Sequence, residues 1–416
     1  MRDYSRRTVL FQTTLAAAWN QTARPRYDLL IRGGHLIDPS QNISAIRDIA
    51  ITRGKVARIA ENIPAGEARQ SLDARGKIVT PGLIDIHVHV YDGVAPLGIP
   101  ADPNCIAKGV TTAVDAGSSG AHTFPGLRKY VINVVDTRVL ALLNISVVGQ
   151  STLSTDNPWG ELIDLRLANP KLAIKTIEEN RDVILGVKIR LTSNITGRRD
   201  LEALKLAREV SDAVNLPIMA HIGGTFSTLP KILELLRKGD VITHSYRAGE
   251  GGILNSDLRV LPEVRKAVQD GLRLDVGHGA GSFGWSVAEA ALKQDLLPGT
   301  ISSDVHHYNV HGPVLDLATT LSKFLHLGMK LEDVIARATH NAANTFGFPK
   351  GIGTLREGSE GDVAVFQFAE GDFVLNDSVQ ESRIVHRRLL PVATVKGGRI
   401  YGSASIPVVT LDRPTF

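Results

Sequence analysis

The sequence predicts an α/β protein, a (β/α)8 TIM barrel carrying a small β-sandwich built from both ends of the chain. Three observations lead there. Eight short strand-like runs lie between residues 83 and 306, and helical patterns separate many of them. Strands alternating with helices build a parallel sheet. Short alternating runs with Gly-rich turns occupy both ends instead, and 416 residues hold a barrel of about 250 residues with a smaller domain beside it.

In chain order, the first segment reads as a targeting sequence. Arg6–Arg7 follow Ser5, a modestly apolar stretch comes next, and Ala16, Ala17 and Ala18 supply small residues for cleavage. This resembles a twin-arginine export signal, which implies a mature protein in the periplasm or outside the cell and otherwise a cytoplasmic one. Residues 1–26 are therefore assigned to signal and linker. Residues 27–79 form the first part of the β-sandwich, from YDLLIRGGHLID and DIAITRGKVARIA. Residues 80–350 form the barrel. Residues 351–416 return to the sandwich through GDVAVFQF and ATVKGGRIYG, followed by a tail.

Composition excludes several classes. A net charge of +4 without a dense Lys/Arg run gives no footprint for nucleic acid. No apolar stretch is long enough to span a bilayer. The single cysteine, Cys105, rules out an internal disulfide and any zinc site built from several thiolates. The partner expected is a small-molecule substrate, with a homo-oligomer left open.

The barrel runs are LIDIHVHV, VTTAVDAG, VLALLNIS, DVILGVKIRL, PIMAHIG, VITHSY, LRLDVGHG and TISSDVH. LEALKLAREVSDAV and LPKILELLRK supply helices between them. Side chains two apart on a strand share a face, so His87 and His89 project together from the end of the first run. That suits a shared metal ion. Lys188 lies near the end of the fourth run, His221 ends the fifth, His244 the sixth and Asp304 the eighth. Chemistry in such barrels sits at the C-terminal rim of the strands. Each residue alone has a structural explanation as a core histidine, ion-pair partner or helix cap. Together they point to metal.

PGLIDIHVH, the strand-four lysine, two later single histidines and the SSD aspartate resemble the amidohydrolase superfamily across nearly the whole mature chain. Within it the pattern resembles the binuclear subtype with a carboxylated lysine. That resemblance implies two divalent ions, zinc foremost, with His87, His89 and Asp304 on one and His221 and His244 on the other. Lys188, carboxylated by carbon dioxide, would bridge them. It further implies attack by a metal-bridging hydroxide, with Asp304 as general base and acid.

Substrate class is less sharply written. Dihydroorotases follow the histidine pair with an arginine and a Pro-Gly, whereas this chain continues HVHVYDGVAPLG. D-aminoacylases also resemble it, yet Cys105 precedes the second strand and is misplaced for a bridging thiolate. HSYRAG and DVGHGAGSFGW resemble loops of dihydroorotase-like deacetylases. The expected reaction is hydrolysis of an acyl amide or ester bond of a small carboxylic acid. A cyclic amidohydrolase, a mononuclear deaminase and a non-catalytic scaffold are the alternatives. Arg190, Tyr246, Arg247, His278 and His306 are the candidate substrate residues, since arginine suits forked carboxylate recognition. Trp285 is expected in the core, and His307 and His311 at the surface.

Overall fold

The computed structural model describes residues 25–153 and 160–402. The Arg6–Arg7 pair and Ala16–Ala18 lie outside the described residues. Among the described residues no helix is long and apolar enough to cross a membrane.

The first strands are β1 (Tyr27–Asp38), β2 (Ile43–Thr52), β3 (Lys55–Ala60), β4 (Ala68–Asp73) and β5 (Ile78–Pro81). The barrel strands follow as β6 (Leu83–Val88), β7 (Val110–Gly120), β8 (Arg138–Asn144), β9 (Ile184–Arg190), β10 (Ile218–His221), β11 (Val241–Thr243) and β12 (Arg273–Leu274). The chain closes with β13 (Val363–Asn376), β14 (Ser382–Lys396) and β15 (Arg399–Gly402).

One sheet runs β15-β14-β13-β5-β1-β2-β3, with β4 beside β1. The two chain ends meet where β5 pairs antiparallel with β13, from Val363 opposite Pro81 to Phe366 opposite Ile78. Leu29, Ile31, Ile49 and Ile51 pack there with Val363, Val365, Ala393 and Val395. Neither end supplies enough apolar surface alone, so the small domain needs both.

The second sheet holds β6 to β12 in sequential order, every pair parallel. The eighth position is filled by an extended segment rather than a regular strand. Thr300 bridges Asp275 and Val305 bridges Val88, both parallel. Asp304 N donates to His87 O at 2.7 Å, and Gly279 N donates to Ser303 O at 3.0 Å. The ladder is interrupted because Asp304 takes a left-handed backbone, φ 48°, and Gly277 does the same at φ 47°.

Of the two helices named from sequence, Asp200–Val214 matches LEALKLAREVSDAV. The helix begun by LPKILELLRK covers only Leu229–Leu233. Asp240 accepts from Arg237 N at 2.7 Å and from Ile218 N at 2.8 Å, turning the chain early toward β11.

Candidate metal centre

The site is built where strands end. His87 is the penultimate residue of β6 and His89 lies just beyond it, Lys188 sits in β9, and His221 closes β10. His244 follows β11 with φ 67°, a conformation rare for a residue bearing a side chain. Asp304 lies on the closing segment. Its Oδ1 is 3.1 Å from His89 Nε2 and 3.4 Å from His87 Nε2. Lys188 Nζ is 3.1 Å from His87 Nε2 and 3.6 Å from Met219 Sδ. The rings of His221 and His244 are 4.0 Å apart, and those of His244 and His87 are 5.0 Å apart. All six residues predicted as ligands therefore converge on one rim.

The donor chemistry fits a metal. Asp304 Oδ1 is buried and has no hydrogen-bond partner. Leaving a buried polar atom unpaired costs roughly 1–3 kcal/mol, a cost that a cation there would remove. Burial holds His89 and His244 down to about 3, and drives His87 and His221 well below the ordinary histidine range. Neutral imidazoles are what a metal requires. In three of them Nδ1 is engaged elsewhere: His87 with Thr243 Oγ1 at 2.9 Å, His89 with Ser118 Oγ at 2.9 Å and His244 with Gly277 O at 2.7 Å. The Nε2 atoms are left for the site.

Burial also lowers the Lys188 amine to about 8. Its stem passes over Gly117, where an added Cβ would lie 2.6 Å from Lys188 Cγ. Gly117 has φ 86°, so both the close approach and the backbone exclude a side chain.

Two buried carboxylates missed in the sequence support this layer. Asp85 accepts from His87 N at 3.2 Å and Ser303 N at 3.1 Å, and also from Ser303 Oγ. Asp115 accepts from Val90 N at 2.9 Å and Ser118 N at 2.8 Å, fixing the hydroxyl that meets His89. The available signal was an aspartate inside an otherwise apolar strand, since buried charges persist only when hydrogen-bonded or paired.

Residues 78–385 match the amidohydrolase family model. The chain belongs to the amidohydrolase family. A deacetylase of Agrobacterium fabrum is 34% identical over 355 residues, covering 85% of this chain and 86% of its own. A solved structure described as an adenine deaminase superposes with a TM-score of 0.84 at 32% identity, covering 91% of this chain and 100% of that one. Another, described as a dihydroorotase, gives 0.83 at 30% identity, covering 92% and 99%. Family membership and the His87–His89–Asp304 cluster make this a metal-dependent enzyme of amidohydrolase type.

In this amidohydrolase the substrate candidates divide. Arg190 Nη1 pairs with Glu161 Oε2 at 3.0 Å, and Asn144 Nδ2 reaches the other oxygen at 3.3 Å. Its charge is thus already balanced. Arg247, three residues after His244, donates to Glu250 O at 2.9 Å and lies against Gly223. Among the described residues it has no carboxylate partner, although it is half-buried. His306 is buried, with its ring 6.2 Å from that of His89.

Two candidates require correction. Tyr246 is fully buried, its hydroxyl donating to Leu296 O at 3.1 Å and its ring packed edge-on against Phe324. His278 stacks on Phe283 with centroids 4.6 Å apart and faces Lys323. Both belong to the packing around the barrel, not to its mouth. Trp285 is in the core, with Nε1 donating to Glu381 O at 3.1 Å, and His307 and His311 are exposed.

Proposed function

We propose that this amidohydrolase cleaves an acyl amide or ester bond of a small carboxylic acid, with two divalent ions held by His87, His89, Lys188, His221, His244 and Asp304. The observation that carries the reading is the convergence of His87 and His89 Nε2 on the unpaired Asp304 Oδ1, with the Lys188 amine 3.1 Å from His87 Nε2. Zinc is the ion proposed, since histidine and carboxylate donors suit it. Bound there, such ions supply Lewis-acid polarisation of a carbonyl and a more acidic water.

The protein's own groups do the rest. Burial lowers the Lys188 amine to about 8, which makes the unprotonated nucleophile accessible near neutrality. Its nitrogen forms a bond to the carbon of carbon dioxide and loses one proton, giving an anionic bridging group where an ammonium would repel cations. Asp304 accepts the proton of the attacking water and passes it to the leaving amine or alkoxide. Arg247 supplies the uncompensated cation for the substrate carboxylate, while His306 lines the approach beside His89 and Arg190 stays tied to Glu161.

Metal-loaded enzyme assayed against N-acetyl and O-acetyl acids of both hands tests this, with dihydroorotate and adenine alongside. The acids should be turned over in preference, dihydroorotate poorly. Arg247→Ala should raise KM roughly 10- to 100-fold while largely keeping kcat, the effect of losing one charged hydrogen-bond partner in binding. Preferred opening of dihydroorotate, or ammonia release from adenine, would overturn the reading.

A further inference from the structure

We infer that Asp275 is a positioning residue that locks His87 and His244, one ligand from each half of the proposed metal pair, into the form that presents Nε2 to the site. The inference rests on the two-ion reading for what those atoms hold, but not for how the histidines are oriented.

Asp275 is fully buried just beyond β12. Three hydroxyls donate to it: Thr243 Oγ1 to Oδ2 at 2.8 Å, Ser302 Oγ to Oδ2 at 2.7 Å and Thr300 Oγ1 to Oδ1 at 2.7 Å. With three hydroxyls directed at its two oxygens the carboxylate is the acceptor, so each hydroxyl has spent its single proton. The nearest basic nitrogen in ion-pair range among the described residues is His87 Nδ1, at 3.9 Å.

The consequences run along two branches. Thr243 Oγ1, having donated to Asp275, can only accept from His87 Nδ1 at 2.9 Å. His87 therefore carries its proton on Nδ1 and turns a lone pair on Nε2 toward Lys188 and Asp304. Ser302 Oγ, likewise committed, accepts from Gly277 N at 3.0 Å. That bond anchors Gly277 on its N-terminal side, and the carbonyl of the same residue, on the following peptide, accepts from His244 Nδ1 at 2.7 Å. A side chain at Gly277 would meet Thr243 Oγ1 at 2.2 Å, so the two branches pass each other only because glycine stands there. The third donor, Thr300, leads to no ligand.

This asymmetry supplies the test. Thr243→Val, Ser302→Ala and Thr300→Val proteins are labelled with 15N-histidine, stripped of metal, and their imidazole tautomers read by NMR. Zinc content after dialysis against a graded chelator is measured in parallel. In the unaltered protein His87 and His244 should both be Nδ1-protonated. Thr243→Val should mix the His87 tautomers and weaken retention of one zinc equivalent about 10- to 100-fold, the usual scale for losing an outer-shell partner. Ser302→Ala should do the same at His244, and Thr300→Val should change neither. Asp275→Ala should disturb both, and if it fails to fold the three single-hydroxyl variants still decide.

The inference is overturned if Thr243→Val leaves both the His87 tautomer and zinc retention unchanged, or if Thr300→Val matches the other two variants. If the tautomers respond as stated but the unaltered protein never takes up two zinc ions, positioning stands and the two-ion reading fails.

Discussion

The Lys323 ammonium donates to His278 Nε2 across 2.6 Å in a buried space beside Phe283 and Trp285. It also donates to Pro313 O at 3.0 Å and Asn376 O at 2.6 Å, so its three protons have three acceptors. Lys323 thus joins the seventh barrel position, the loop after the closing segment and the end of β13. Lys323→Met keeps the apolar stem and leaves those acceptors unpaired. The expected loss of stability is on the order of 3 kcal/mol, read from urea unfolding. A midpoint equal to the unaltered protein's would show that the acceptors find water instead.

The same contact sets an acid sensitivity. Burial and the Lys323 charge hold His278 well below the ordinary histidine value of 6.5. Below pH 6.5 the unfolded chain therefore binds a proton that the folded protein refuses. The His278 contribution to stability is complete above about 6.5 and falls as pH drops, by up to about 1.4 kcal/mol per unit. His278→Gln should flatten that part of the slope when chelator-treated proteins are unfolded at pH 7.5, 6.5 and 5.5. Parallel curves would remove His278 from the account.

Gly117→Ala probes the space beneath Lys188. The new methyl would meet Lys188 Cγ at 2.6 Å on a backbone of φ 86°. A cost of roughly 1–3 kcal/mol and loss of bound metal are expected together, measured by thermal melts and elemental analysis. Full metal content in a folded variant would show that Lys188 has room to shift.

Asp304 combines φ 48° with an unpaired buried oxygen. Both oppose folding of the metal-free protein. Asparagine tolerates the same backbone and offers N–H donors to the neighbouring Nε2 lone pairs. Asp304→Asn should therefore melt higher than the unaltered protein when both are metal-free, by roughly 1 kcal/mol, while losing turnover. A lower melting temperature would mean that the carboxylate is already accommodated without a cation.

The metal residues were legible in the sequence because each interrupts or ends an apolar run, and strand alternation places such residues on a common rim. Tyr246 was misassigned for a specific reason. Two positions after His244, it should share that histidine's face, but φ 67° at His244 breaks the alternation and turns Tyr246 into the core. His278, between the left-handed glycines Gly277 and Gly279, is diverted in the same way. The ion-pair partner of Arg190 could not be named from the sequence because Glu161 lies 29 residues earlier, in a loop with no periodic signal. Asp85, Asp115 and Asp275 escaped notice because a hydropathy pattern does not indicate which hydroxyls and amides will surround a buried carboxylate.

The pairing of β5 with β13 gives the protein a timetable. Pro81 and its partner Val363 are separated by the whole barrel, and ribosomes add about 5–20 residues each second. During synthesis the β5 edge therefore waits on the order of 15–60 s for its neighbour. An unpaired edge is a template for wrong partners for as long as it is open. The barrel can begin to collapse during that interval, whereas the small domain is sealed only once β13 has emerged. Rearranging the gene so that β13–β15 directly precede β1 would bring both halves out close together and shorten the exposure to about 5–20 s.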